Sequence, residues 1–145
     1  MADQTSSSLV VAAAPDAVLA VIADLPAYPE WSGEIKRVEV LEAAPDGRPR
    51  RARFEISSSG LSDEYVLDYD WTADGVSWRL VAPSTLQKAQ EGSYRLSPTA
   101  GGTQVRYDLR IDARLPMIGP MRRKIEKRIV EGALSELKRR VEALG

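Results

Sequence analysis

The chain has 145 residues, 20 basic and 21 acidic side chains and a net charge of −1, with 43% apolar and 28% charged residues. At about 100–200 residues per domain this is one domain, spanning 1–145, and its near-average composition excludes collagen-like, low-complexity and wholly disordered chains. The balanced charge argues against a general nucleic-acid binder.

No apolar run approaches the roughly 20 residues that cross a bilayer. The N-terminal stretch MADQTSSSLVVAAAP lacks a basic start and does not read as a secretory signal, so a cytoplasmic location is expected. Cysteine and histidine are both absent. Disulfides, thiolate zinc sites, cysteine nucleophiles, histidine bases and hydrolase triads are therefore excluded, and no metal or cofactor is expected. Chemistry would fall to Asp, Glu, Lys, Arg, Tyr, Ser or Thr, which tilts the reading from catalysis toward binding.

In chain order, Ser6 to Ala12 is a short apolar strand. Pro15-Asp16 opens a helix, because proline's missing N–H costs nothing in the first turn and an acid suits the positive end of the dipole. Val18, Val21, Ile22 and Leu25 give it one apolar stripe. Pro26 and Pro29 stop it, and Ala27-Tyr28-Pro29-Glu30-Trp31 reads as one turn or a tight corner.

From Ile35 to Ala113 the period becomes two. Strands are expected at Ile35–Glu42, Arg51–Ser57, Asp63–Trp71, Val76–Val81, Leu86–Leu96 and Thr103–Ala113. Turn residues separate them at Pro45-Asp46-Gly47, Ser58-Ser59-Gly60, Asp74-Gly75, Ala82-Pro83-Ser84 and Pro98 to Gly102, and gaps this short imply antiparallel hairpins. After Pro116 and Gly119-Pro120, a stripe of Met121, Ile125, Ile129, Ala133, Leu137, Val141 and Leu144 marks a long final helix.

An antiparallel sheet with one polar face must cover the other, and only the last helix is long enough to do so. At this point a family resemblance enters. Ala14-Pro15-Asp16-Ala17-Val18 through Asp24-Leu25-Pro26-Ala27-Tyr28-Pro29-Glu30-Trp31, then Val38-Glu39-Val40-Leu41, resembles the start of the polyketide cyclase/dehydrase and lipid-transport family. Gly101-Gly102-Thr103-Gln104-Val105-Arg106-Tyr107 resembles the turn into its last strand. The resemblance implies the α+β helix-grip fold of the START-like (SRPBCC) superfamily. In that fold a curved antiparallel sheet of about seven strands wraps a long C-terminal helix, with two short helices after the first strand. Its motifs are architectural, and that superfamily includes lipid carriers, receptors, cyclases and quinone binders, so fold alone does not choose a function.

The strand parity places an unusual share of rings inward. A wall of apolar side chains with a few polar groups is how small-molecule pockets are built. The expected ligand-binding residues are Trp31, Phe54, Ile56, Tyr65, Leu67, Tyr69, Trp78, Leu80, Gln90, Tyr94, Tyr107 and Leu109 from the corner and sheet, and Met121, Ile125 and Ile129 from the helix. Plain core packing accounts equally for any one ring. Unbroken alternation from Tyr94 and Leu96 would turn Gly92, Gln90 and Lys88 inward, whereas a bulge at Gly92 would return Lys88 to solvent.

Near the helix start, Arg122, Arg123, Lys124, Lys127 and Arg128 oppose the dipole. Pairing with Glu126 and Glu131 on a solvated face is one reading. The other is transient contact with a membrane surface or acidic partner through Arg122, Arg123 and Lys127. Leu115-Pro116-Met117-Ile118-Gly119-Pro120 reads either as an apolar lip at the ligand entrance or as a packed corner.

Three functions fit. The first is non-catalytic binding or transport of a hydrophobic or aromatic molecule (lipid, polyketide or quinone-like) between sheet and helix. The second is a polyketide cyclase or dehydratase working without metal or histidine, for which Tyr65, Tyr69, Lys88 and Tyr107 are the candidate catalytic groups. The third is a protein-interaction module with a collapsed cavity.

Overall fold

A computed structural model of the chain describes residues 4–58, 60–114 and 119–144. The turn at Ser59 and the lip expected at Leu115, Pro116, Met117 and Ile118 lie outside the described residues. The strands are β1 (Thr5–Val11), β2 (Ile35–Ala43), β3 (Pro49–Ser58), β4 (Leu61–Thr72), β5 (Gly75–Leu80), β6 (Gln87–Thr99) and β7 (Gly102–Ala113). They form one antiparallel sheet in the order β1-β7-β6-β5-β4-β3-β2. Between β1 and β2 come α1 (Pro15–Ala23) and a 3₁₀ turn (Leu25–Glu30), and α2 (Gly119–Leu144) closes the chain. This is the expected seven-stranded helix-grip arrangement.

Local chemistry sets the boundaries. Pro15 occupies the first turn of α1 beside Asp16, and the Asp24 N–H folds back onto the Val21 carbonyl to end the helix. Leu25 therefore belongs to the 3₁₀ turn, not to α1, although it is fully buried like Val18 and Ile22. The β6–β7 turn needs Gly102, whose φ of 134° disfavours other residues and whose missing side chain lets the Val11 carbonyl come close.

The core lies on the concave side, where Val11, Val105, Leu109, Val130, Leu134 and Leu137 are sealed from solvent. Each such side chain contributes about 1.5–3 kcal/mol by leaving water. The buried face of α2 is Glu126, Val130, Leu134, Leu137 and Val141, rotated from the expected stripe, and Met121 and Ile125 stand exposed. The cause is geometric. At 3.6 residues per turn every fourth residue advances about 40° round the helix, so a strict four-residue repeat walks from the outer to the inner face.

Glu126 holds the near end of α2 to the sheet. Its Oε1 accepts the Thr5 hydroxyl at 2.7 Å, and its Oε2 accepts the Ile111 N–H at 2.6 Å and Arg122 at 3.1 Å. Farther along, Lys138 donates to the Val10 carbonyl at 3.0 Å and Glu142 accepts the Ala12 N–H at 2.9 Å. On the opposite flank, Glu136 accepts the Gly33 N–H at 3.2 Å and Arg140 meets Glu30 at 2.9 Å. The helix is thus tied on both sides, to β1 and to the corner ahead of β2.

Candidate ligand-binding site

All nine aromatic residues join one ring network on the inner parity of the sheet and the corner. Trp31 meets Tyr28 edge-on at 4.9 Å, and Tyr28 leads to Phe54 at 6.3 Å. Phe54 stacks on Tyr65 at 5.7 Å and on Tyr69 at 6.4 Å, and Tyr69 touches both Trp71 and Trp78. Trp78 then packs on Tyr94 and Tyr107, whose rings are 4.6 Å apart. Offset and edge contacts of this kind add about 0.5–1.5 kcal/mol each beyond simple burial.

Burial holds all five phenols un-ionised. It is the largest cause of the raised pKa at Tyr28, Tyr65, Tyr69, Tyr94 and Tyr107. Tyr69 is pushed up further by Tyr28, Tyr65, Tyr107 and Tyr94, so the five hydroxyls stand within electrostatic reach of one another. Tyr28 donates to the Ile22 carbonyl. No described residue hydrogen-bonds the hydroxyls of Tyr69, Tyr94 or Tyr107. Buried polar groups are almost always paired, so these three hydroxyls call for a partner from outside the described residues. The Trp31 Nε1 is the one sealed side-chain nitrogen or oxygen without a partner among the described residues.

A polar chain crosses the same wall. Trp78 Nε1 donates to Gln90 Oε1 at 3.0 Å, Gln90 Nε2 donates to Gln87 Oε1 at 2.7 Å, and Gln87 Nε2 donates to Asp63 Oδ2 at 3.4 Å. Asp63 also accepts the Ser84 hydroxyl at 2.6 Å and the Glu64 N–H at 3.0 Å. Residues 87 and 90 are an odd number apart, so regular pleating would put them on opposite faces. A bulge resolves this: Gln87 pairs with Ala113 but Ala89 pairs with Asp112, leaving Lys88 as the extra residue.

That bulge decides the fate of Lys88. It is exposed, with Ala89, while Gln87 and Gln90 are buried. The bulge lies at Lys88 and not at Gly92, so Gln90 keeps its inward parity while the lysine loses it. Lys88 stands in solvent, away from the ring wall.

Of the expected ligand residues, Phe54, Leu67, Trp78, Gln90, Tyr94, Tyr107 and Leu109 are buried on the concave side. Trp31, Tyr65, Tyr69, Leu80 and Ile129 are half-buried against them, and Ile56 is half-buried where β3 pairs with Asp63 of β4. Met121 and Ile125 are exposed on the outer side of α2, so they do not line the wall. Arg122 is likewise no free surface cation, because it pairs with the buried Glu126. Arg123 and Lys127 are exposed.

Asp63, Ser84 and Gln87 join the site without having been expected there. Asp63 shares the parity of Tyr65 and Leu67, which is a legible signal; Gln87 carries none, because its place depends on the bulge. A depression of about 290 Å³ lined by Leu41, Arg51, Glu64, Tyr65, Val66, Val81, Ala82, Pro83 and Ser84 opens elsewhere. Arg51, Glu64 and Val66 have outward parity, while Tyr65 and Ser84 are shared with the ring wall. Among the described residues no group of three or more acidic side chains converges as metal ligands would. None of the described helices is long and apolar enough to cross a membrane.

Comparison with known proteins agrees with this geometry. The family described as polyketide cyclase/dehydrase and lipid transport matches residues 3–142. A START superfamily protein from Mycobacterium smegmatis superposes with a TM-score of 0.91 at 28% identity, covering 98% of this chain and 99% of that one. The protein TTHA0849 from Thermus thermophilus gives 0.82 at 21% identity over 99% of both chains. The Zhui aromatase/cyclase from Streptomyces sp. R1128 gives 0.79 at 18% identity, over 97% of this chain and 93% of that one. Among the curated proteins, none matches by sequence.

Proposed function

This chain belongs to the polyketide cyclase/dehydrase and lipid-transport family, and on that premise we propose that it binds and carries a hydrophobic or aromatic small molecule between sheet and α2, without transforming it. The observation that carries this reading is the set of hydroxyls on Tyr69, Tyr94 and Tyr107, unpaired among the described residues yet inside a ring-lined wall. Apolar walls supply affinity at about 25 cal/mol per Å² of surface taken from water, and a few inward polar groups set orientation.

Native mass spectrometry of gently purified protein tests it. The expected spectrum shows a co-purifying small molecule released on activation. A guest-free spectrum, together with no uptake of the apolar dye 1-anilinonaphthalene-8-sulfonate, would refute it.

A cyclase or dehydratase is the second reading, favoured by the convergence of four phenols, on Tyr65, Tyr69, Tyr94 and Tyr107, that can donate to a carbonyl oxygen. Held neutral by burial, these phenols serve as donors and not as bases. The carboxylate nearest to them in effect on the α2 side is Glu136, which raises the Tyr94 pKa. Exchange with an anionic membrane would use the exposed Arg123 and Lys127, with Met121 and Ile125 on the same half of α2.

A further inference from the structure

On the face of α2 opposite its buried stripe, two large apolar side chains stand among cations, where a surface helix ordinarily shows polar groups alone. Successive helical residues turn by about 100°, so Lys124, Ile125 and Arg128 lie within about 60° of Met121, while Val130 lies about 180° from it in the middle of the buried stripe. Met121 is 51% exposed and Ile125 41% exposed. Lys124 and Arg128 are exposed and interleave with them along the axis, and Gly132, Ser135 and Arg139 continue the same exposed line.

The charge of this half-helix is one-sided. From Met121 to Val130 the charged residues are Arg122, Arg123, Lys124, Glu126, Lys127 and Arg128. Arg122 and the buried Glu126 pair with each other. The remaining four are all exposed and all positive, and none joins an ion pair among the described residues. Cations near a helix N-terminus oppose its dipole, so this placement works against the fold and not for it. In a chain of net charge −1, such a local excess fits an anionic partner.

The apolar pair decides which partner. A nucleic acid or a purely acidic surface would neutralise the cations but leave Met121 and Ile125 in water. A bilayer accepts apolar side chains at its headgroup boundary, while lysine and arginine stems reach back to the phosphates. We propose that the outer face of the first half of α2, with Met121 and Ile125 set among Lys124 and Arg128, is a docking surface for an anionic lipid bilayer, on which the helix lies flat. The contact is peripheral, since no described helix is long and apolar enough to span. The face needs no guest in order to bind lipid; only its use in delivery rests on the carrier reading.

The test uses the full chain with vesicles of phosphatidylcholine alone or with about 30% phosphatidylserine. Co-sedimentation is expected with the anionic vesicles only. Met121→Ser with Ile125→Ser is expected to weaken it by about tenfold or more, through the apolar surface lost from the contact. Lys124→Gln with Arg128→Gln is expected to weaken it by about twentyfold, at about fivefold per cation. Because the chain has no cysteine, Met121→Cys takes a single environment-sensitive dye. Its emission is expected to move to the blue on anionic vesicles and to stay in place with polyglutamate, and the same dye on the exposed Glu91→Cys of β6 is expected to respond to neither. Absence of binding to anionic vesicles, undiminished binding by Met121→Ser with Ile125→Ser, or an equal dye response to polyglutamate overturns the proposal. If a double variant loses its ellipticity, the dye at Met121→Cys decides. Guest uptake, read separately by native mass spectrometry, decides the carrier reading, and its failure leaves the docking face standing.

Discussion

Trp78 lies where a side chain at Gly92 would be. A β-carbon built on Gly92 would come within 2.4 Å of Trp78 Cζ2 and 2.7 Å of its Nε1. The two residues face each other across β5 and β6, and the missing side chain is what lets the indole lie flat and reach Gln90. Gly92→Ala is therefore expected to cost about 1–3 kcal/mol as an overpacking change. Urea denaturation would measure the loss, and a changed near-UV spectrum would report the displaced indole.

Glu126 is buried with three partners, so removing it deprives the Thr5 hydroxyl and the Ile111 N–H of their acceptor at once. Glu126→Ala is expected to destabilise by about 3–5 kcal/mol, as when one member of a buried pair is deleted. A change in urea midpoint at unchanged slope would check this. Because Glu126 joins α2 to β1 and β7, amide exchange should accelerate first at Thr5 and Ile111.

Alkaline stability follows from the phenols. In the unfolded chain they ionise near 10.0, whereas burial keeps Tyr94 and Tyr107 protonated well above that value when folded. A raised acid favours the folded state's protonated form. Its contribution is whole below pH 10 and is lost as the pH climbs toward the folded value. Each such phenol lowers stability by about 1.4 kcal/mol per pH unit in that window. Absorbance at 295 nm should therefore show no gradual tyrosinate titration, but one step coincident with loss of far-UV ellipticity.

The exposed cations of α2 are expected to matter only at a charged surface. Arg123→Glu with Lys127→Glu should weaken binding to vesicles of 30% phosphatidylserine by at least about tenfold, given about 1 kcal/mol per cation near such a surface. Thermal stability should stay within about 0.5 kcal/mol, because neither side chain is buried. Undiminished vesicle binding in a co-sedimentation assay would remove these residues from any delivery step.

Lys88 provides the contrasting case. Since it projects to solvent from the bulge, Lys88→Ala should change stability by less than about 0.5 kcal/mol and leave guest uptake as in wild type. Parallel dye titrations of both proteins would show it.

Much of the fold was legible because the two-residue period is strict from β3 to β5 and along β7. Phe54, Leu67, Trp78, Tyr94 and Leu109 are all buried on the parity read from the sequence. What was not legible depended on single departures from a period. One extra residue at Lys88 reversed the lysine and brought in Gln87, and nothing in the local composition marks that bulge. On α2, a count of apolar residues passes over Glu126, because a carboxylate is a poor core residue until its three partners are known. Reading Met121 and Ile125 as inward failed for the same reason, since the true stripe begins with that acid.

The register Thr5↔Leu109 joins the first strand to the last across about 100 residues of chain. A ribosome adding about 5–20 residues per second will have released β1 for several seconds before β7 emerges to receive it. The meander β2 to β6 can close by neighbouring hairpins during that interval, while the N-terminal strand waits unpaired. Nascent chains are therefore most open to proteolysis and mispairing at the β1 edge, until β7 arrives to bring that edge under cover.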